Sequence, residues 1–192
     1  MDPDPDPVAD EDLLVRAATE PAAFEPLVAR HSVALHGYLA RRAPTAADDL
    51  LSEVWLQAFA HRHTFDAARG AARAWLFGVA RNVLARHWQR AARDPGPSAA
   101  GEPSGSDPWH AVDQRLDALA AGPQIHAGLA ELPSVERELL LLVAWEGLTP
   151  TEAAAVVGIP AGTARSRLHR ARARLRSRLS DGTLTTLTGE LA

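Results

Sequence analysis

"LTPTEAAAVVGIPAGTARSRLHRARARLRSRL", residues 148–179, reads as two helices and the turn between them. Thr149 supplies an N-cap hydroxyl, and Pro150 fits the first helical position, where its missing N–H removes no bond. Glu152 stands three residues after the cap and closes a capping box. Gly158 tolerates the left-handed backbone that ends a helix, and Pro160 opens the next one. On a helical wheel Ala161, Ala164, Leu168, Ala171, Leu175 and Leu179 share one narrow face. Arg165, Ser166, His169, Arg170 and Ala173 hold the opposite face. A short capped helix, a glycine turn and a second helix with a polar outer face make a helix-turn-helix, the commonest way of setting side chains into a DNA groove.

The charge pattern points the same way. The 192-residue chain has a formal net charge of −4, yet residues 162–179 carry seven arginines and no acid. All twenty basic residues are arginine, a total that codon usage in a GC-rich genome explains; their distribution it does not. Residues 1–25 hold eight acids against Arg16, residues 60–93 hold seven arginines against Asp66, and residues 94–160 are acidic again. Two basic segments separated by acidic ones predict two surfaces that meet a polyanion. A membrane surface fits less well, because the apolar face of 161–179 is half alanine and has no aromatic anchor.

No apolar run is long enough to span a bilayer, there is no cysteine, and the acidic, proline-rich start is the reverse of a secretory signal. A cytoplasmic protein without membrane insertion is expected. The histidines at 31, 36, 61, 63 and 87 fit no zinc spacing, and no nucleophile with an oriented base is present. No metal, cofactor or catalytic residue is therefore expected, and the chain is not read as an enzyme.

The fold class expected is all-α: two small helical domains joined by a flexible linker, the second containing the helix-turn-helix. Residues 1–8 form a disordered acidic tail and 9–93 the first domain. Its helices are expected near 10–19, 22–42, 45–61 with Thr45 as cap, and 71–92. "RDPGPSAAGEPSGSDP", residues 93–108, has no periodicity and begins a linker placed at 94–120, with a short helical stretch at 109–120. The second domain is 121–180, with three or four helices, and 181–192 is a C-terminal tail.

"LPSVERELLLLVAWEGLTPTEAAAVVGIPAGTARSRLHRARARL" resembles the C-terminal DNA-binding domain of bacterial extracytoplasmic-function (ECF) sigma factors. "ADDLLSEVWLQAF" and "FDAARGAARAWLFGVARN" resemble their N-terminal domain, in the same order. The resemblance implies a promoter-specificity subunit of RNA polymerase. Domain 2 would clamp a coiled coil of the largest core subunits and melt the −10 element. Domain 4 would read the −35 element and sit on the β flap. An anti-sigma factor is implied as a further partner. A stand-alone helix-turn-helix activator is the alternative, and binding to core polymerase separates the two.

The resemblance also implies residues. Core polymerase binding falls to Asp49, Leu50, Glu53 and Val54, although for Leu50 and Val54 packing inside the fold is an equal reading. Ser52 stands where the family usually has Gln. The −10 contacts fall to Asn82, Arg86, Arg73 and Arg81: an amide that both donates and accepts suits an unpaired base, and cations suit a displaced strand. The family often has an aromatic where Ala72 stands. Trp75 is read as core, while Trp88 is open. The −35 contacts fall to Arg165, Ser166, His169 and Arg170, the outer face already found on the wheel, with Arg167 and Arg174 on phosphates.

Overall fold

Acids gather at the first helix start: Asp10, Glu11 and Asp12 fill the first turn of α1 (Asp10–Ala17), where the backbone N–H groups present partial positive charge. The structure, a computed structural model, describes residues 8–93 and 122–189, with side chains of the second stretch described at Ile125 and from Ala127 to Arg178. The expected tail before Val8, the linker 94–120 with its short helix, and the last three residues lie outside the described residues. Among the described residues every regular element is helical, and no helix is long and apolar enough to cross a membrane.

α1 buries Leu13, Leu14 and Ala17. Pro21 opens a 3-10 turn, Pro21–Phe24, that leads directly into α2 (Glu25–Ala40), whose buried stripe is Leu27, His31, Leu35, Tyr38 and Leu39. Asp10 bonds both Arg30 (2.7 Å) and His31 (2.6 Å). Burial alone would raise the Asp10 carboxyl, but these two partners hold it below its ordinary value. α3 (Ala47–His61) begins one residue later than a helix capped by Thr45 would. The cap position falls on Ala46 rather than on Thr45, because Pro44 starts a 3-10 turn, Pro44–Ala46, that takes up Thr45. α4 (Ala72–Arg93) buries Leu76, Phe77, Ala80, Val83 and Leu84. Edge-on rings knit these helices, Phe24 against Trp55 and Phe59, Tyr38 against Phe77.

The start of α4 is capped from a distance. The Ala72 N–H donates to Glu11 Oε1 at 2.8 Å, so a carboxylate of α1 satisfies one of the unpaired N-terminal N–H groups of α4 and meets its dipole. Glu11→Ala is expected to cost about 1 kcal/mol, the ordinary loss for a removed N-cap, seen as a lower midpoint in thermal unfolding. Glu11→Gln, which keeps an acceptor, should recover part of it.

The second set comprises α5 (Gly122–Ala130), α6 (Ser134–Ala144), α7 (Pro150–Val157) and α8 (Ala161–Gly189). The capping box of α7 forms as read: Thr149 Oγ1 accepts from the Glu152 N–H at 3.2 Å, and the Thr149 N–H donates to Glu152 Oε2 at 2.7 Å. Gly158 is left-handed, at φ 79°. Leu139, Leu142, Leu148, Ala153, Ala164 and Leu168 are buried together between α6, α7 and α8. α8 continues to Gly189, beyond the helix end expected at 180. No proline follows Pro160, and Gly182 alone weakens a helix by only about 1 kcal/mol. α7 packs on α4, so the two sets of helices touch.

Candidate nucleic-acid interface

Leu168 and the alanines at 164 and 171 anchor α8 so firmly that its opposite side must face outward: all three are buried, while Arg165, Ser166, His169 and Arg170 are exposed. The structure thus brings the four expected −35 residues onto one open helical face. Ser166 donates its hydroxyl to the Thr163 carbonyl at 2.9 Å, which orients its lone pairs outward. Arg167 is half-buried beside that face. The later arginines meet acids that the sequence reading did not connect to them. Glu136, buried in the first turn of α6, accepts from Arg174 Nη1 at 3.0 Å and lies 3.7 Å from Arg170 Nη2. Arg178 Nε donates to Glu131 at 2.8 Å.

On α4, Asn82 and Arg86 are exposed. Together with Gln57, His61, Trp75 and Val79 they line a hollow of about 220 Å³. It adjoins an open cleft of about 540 Å³ formed by the 64–71 loop, Trp75, Gly78 and Asn82. Trp75 is half-buried and edge-on to Phe65 at 5.9 Å, so it packs on the core and also forms a wall of both hollows. Ala72 is fully buried, and its position offers no stacking surface. Trp88 is half-buried, lining a further hollow with Tyr38, Arg81 and Glu138.

The other two −10 candidates face the second set of helices. Arg81 Nε donates to Glu138 Oε1 of α6 at 2.8 Å, and this bond raises the Arg81 guanidinium above its ordinary value. Arg73 donates to the backbone carbonyl of Glu146, just beyond α6. The Glu146 carboxylate is itself bonded by Arg41 and by Arg42, the latter at 3.3 Å, and its side chain is 1% exposed. Arg42 also donates to the Tyr38 carbonyl at 3.0 Å and lies over the Tyr38 ring, 3.9 Å from its centroid. Burial pushes the Tyr38 phenol up to about 12, so it stays neutral beside these charges. Sequence reasoning missed Arg41, Arg42 and Glu146. One local signal existed: an acid at the C-terminal end of a helix, where the dipole disfavours it, calls for a cation from elsewhere.

The polymerase-binding candidates on α3 divide by burial. Asp49 is exposed and Glu53 half-buried, accepting from Gln57 at 2.8 Å. Leu50 and Val54 are 6% and 0% exposed, inside the fold, so packing is the role their position supports. Ser52 donates to the Asp48 carbonyl, a bond within its own helix. Leu56, not singled out before, is 66% exposed on the same helix, and Phe59, expected in its inward apolar stripe, is 38% exposed. Leu56 lies off the buried stripe, which is a signal legible in the sequence.

Two family profiles match this arrangement of helices: Sigma-70 region 2 over residues 27–94 and Sigma-70, region 4 over residues 123–175. The ECF RNA polymerase sigma factor SigC of Mycobacterium tuberculosis is 38% identical over 148 residues, covering 75% of this chain and 74% of its own length. The chain belongs to the ECF sigma factor family. SigL of the same species is 31% identical over 167 residues, covering 86% of this chain and 93% of that protein. The ECF sigma factor RpoE of Cereibacter sphaeroides is 30% identical over 172 residues, covering 86% and 91%. Among solved structures, CnrH in complex with the cytosolic domain of CnrY is similar at a TM-score of 0.61 and 29% identity, covering 90% of this chain and 97% of that one. RpoE of Bartonella quintana, solved with the anti-sigma factor NepR, shares the fold at a TM-score of 0.55 and 23% identity. This sigma factor is accordingly a transcription initiation factor, with α2–α4 in region 2 and α5 to the middle of α8 in region 4.

Proposed function

We propose that this sigma factor joins core RNA polymerase in the cytoplasm and directs it to promoters without catalysing a reaction itself. Residues 9–93 act as domain 2, 121–180 as domain 4, and 94–120 as the connection. Asp49 and Glu53, with exposed Leu56 and Phe59 nearby, form the polymerase contact on the coiled coil; Leu50 and Val54 support it from inside. Asn82 and Arg86 receive the melted −10 strand, joined by Arg73 and Arg81 once these leave their acidic partners. Arg165, Ser166, His169 and Arg170 read the −35 element, with Arg167 and Arg174 on phosphates and domain 4 on the β flap. An anti-sigma factor is a further partner, supported by the two relatives solved with such partners or with the domain of CnrY.

The observation that carries this reading is the pair of separate exposed faces, Asn82–Arg86 on α4 and Arg165–Arg170 on α8, each held outward by a buried stripe beneath it. Run-off transcription with added core polymerase on a genomic promoter library tests it. Discrete start sites that depend on the chain are expected. Tight sequence-specific binding without polymerase, and no start sites with it, would favour a stand-alone activator.

Asn82→Ala is expected to impair strand opening more than closed-complex formation. The proposed partner of the amide is exposed only in melted DNA, and loss of one base contact costs about 1–3 kcal/mol. Permanganate reactivity on duplex and on pre-melted bubble templates measures this, with the bubble expected to restore most initiation. No rescue by the bubble would make Asn82 a structural residue.

A further inference from the structure

The loop that walls the cleft beside Asn82 has little packing of its own. Asp66, Ala67, Ala68, Arg69 and Gly70 are exposed in succession. From within, the loop is held by half-buried Phe65, edge-on to Trp75, and by a short turn in which Asp66 accepts from the N–H groups of Ala68 and Arg69, both at 3.0 Å. Such a segment opens at little cost unless its ends are fixed. Both ends are fixed by α1. At the near end, Arg62 Nε donates to the carbonyl of Ala17, the last residue of α1, at 2.7 Å. At the far end, the Ala72 N–H donates to Glu11 Oε1, in the first turn of α1, at 2.8 Å. A guanidinium meets the negative end of one helix and a carboxylate the positive end of another, so both clamps gain from charge. α1 is itself seated on α2 through Asp10, which bonds Arg30 and His31. Eight helical residues span about 12 Å, so α1 works as a strut of fixed length between residues 62 and 72.

Resting on the promoter reading above, we propose that Glu11 and Arg62 are positioning residues for strand capture. Through α1 they set the shape of the 64–71 loop, and with it the base preference of the cleft, without touching DNA. Trp75 and Asn82 stand on α4 and keep their places when the loop moves, because the buried stripe of that helix anchors them. The facing wall, with Thr64, Asp66 and Arg69, depends on the strut. A base entering the cleft thus meets one fixed side and one adjustable side. Loss of a clamp lowers the fraction of molecules whose two walls are in register, and affinity for the strand falls with that fraction. The other proposed surfaces are independent of the strut: neither Asp49 and Glu53 nor the Arg165–Arg170 face bonds α1 among the described contacts.

The test uses the full chain, alone and with core polymerase, below the unfolding midpoint of every variant. The chain has no cysteine, so Ala67→Cys, at an exposed loop position, takes a single spin label. Glu11→Ala is expected to make the label move faster in the free chain, and Glu11→Gln, which keeps an acceptor, to return most of the slower motion. With polymerase, the DNA is the non-template strand of a −10 element from a mapped start site. Glu11→Ala should bind it about fivefold more weakly, the ratio set by a lost cap of ordinary size, and should discriminate less among its bases. Binding to core polymerase and to a −35 duplex should not change. Arg16→Ala, which breaks the exposed Arg16–Glu20 pair on the same helix, is the control and should alter neither label motion nor strand binding. Arg62→Ala should repeat the label and strand results. It is not read on polymerase binding, because its guanidinium also lies over the Phe59 ring, 4.0 Å from the centroid. If Arg62→Ala loses its circular dichroism, the two Glu11 variants decide alone. Equal losses on polymerase, −35 duplex and −10 strand would make Glu11 a stability residue and overturn the proposal, as would unchanged label motion or base preference in Glu11→Ala. Run-off transcription by the wild-type chain is measured alongside. Absence of start sites would remove the promoter reading, whereas an unmoved label or preference in a transcription-competent chain removes the strut alone.

Discussion

Asp49→Arg combined with Glu53→Arg is expected to abolish binding to core polymerase. The two carboxylates lie one turn apart on α3, so at the proposed contact they would face a partner together, and reversing both would turn attraction into repulsion there. Loss of desolvated interfacial charge contacts costs about 2–5 kcal/mol each, so a thousandfold or greater weakening, about 4 kcal/mol, is a modest expectation for two reversals. The fold should survive. Asp49 is exposed and Glu53 only half-buried, touching Gln57 of its own helix. Asp49 does sit in the positive first turn of α3, so a loss of about 1 kcal/mol of stability is expected there. Pull-down with core polymerase measures the contact, and circular dichroism with thermal unfolding confirms the fold. Normal binding by the folded double variant would remove α3 from the polymerase interface. Leu56→Ala then distinguishes an acidic contact from an apolar one, since Leu56 is exposed and its loss leaves the interior untouched.

What could be read from the sequence was local. The Thr149–Glu152 box, left-handed Gly158 and the division of α8 into an inner stripe and an arginine face depend on residues within a few positions of each other; the box and the glycine formed as read, and the stripe is buried at Ala164, Leu168 and Ala171 and half-buried at Ala161 and Leu175. The cap position moved from Thr45 to Ala46 for an equally local reason, because Pro44 draws Thr45 into a 3-10 turn. Leu50 and Val54 illustrate a different limit. An apolar stripe on a helix does not say whether it faces its own core or a partner, and only the packed neighbours decide. The contacts that escaped entirely span long separations in sequence: Glu11 on the start of α4, Glu138 on Arg81, Glu146 on Arg41 and Arg42. Nothing in the local pattern pairs an acid in one set of helices with an arginine in the other. The sequence did show the imbalance, arginines collected in one segment and acids in the next, which is the condition for such pairing.

That imbalance bears on the recognition helix itself, whose arginines should divide along their length. Arg165 lies near the N-terminal end of α8, where a recognition helix meets base edges, and no acid of the second set is bonded to it among the contacts described. Arg165→Ala is expected to cost about 1–3 kcal/mol at particular −35 positions and relax preference there. Arg176 is exposed farther along, where a helix entering the groove at its N-terminus has begun to leave it. Its replacement by Ala should weaken binding alike on every sequence and reduce the salt slope by about one. Between them, Arg170 and Arg174 share Glu136, whose side chain is 8% exposed. Arg174→Ala leaves that buried carboxylate dependent on Arg170 alone and draws the Arg170 guanidinium inward, away from the groove. Arg174→Ala should therefore lower both overall affinity and preference at the base position proposed for Arg170, and adding Glu136→Gln should restore the preference without the affinity. Holoenzyme binding to a set of −35 variants at two salt concentrations, for each single variant and for that double variant, separates these outcomes. If Arg176→Ala changed sequence preference and Arg165→Ala did not, α8 would enter the groove by its other end, and Arg165, Ser166, His169 and Arg170 would no longer stand as the base readers.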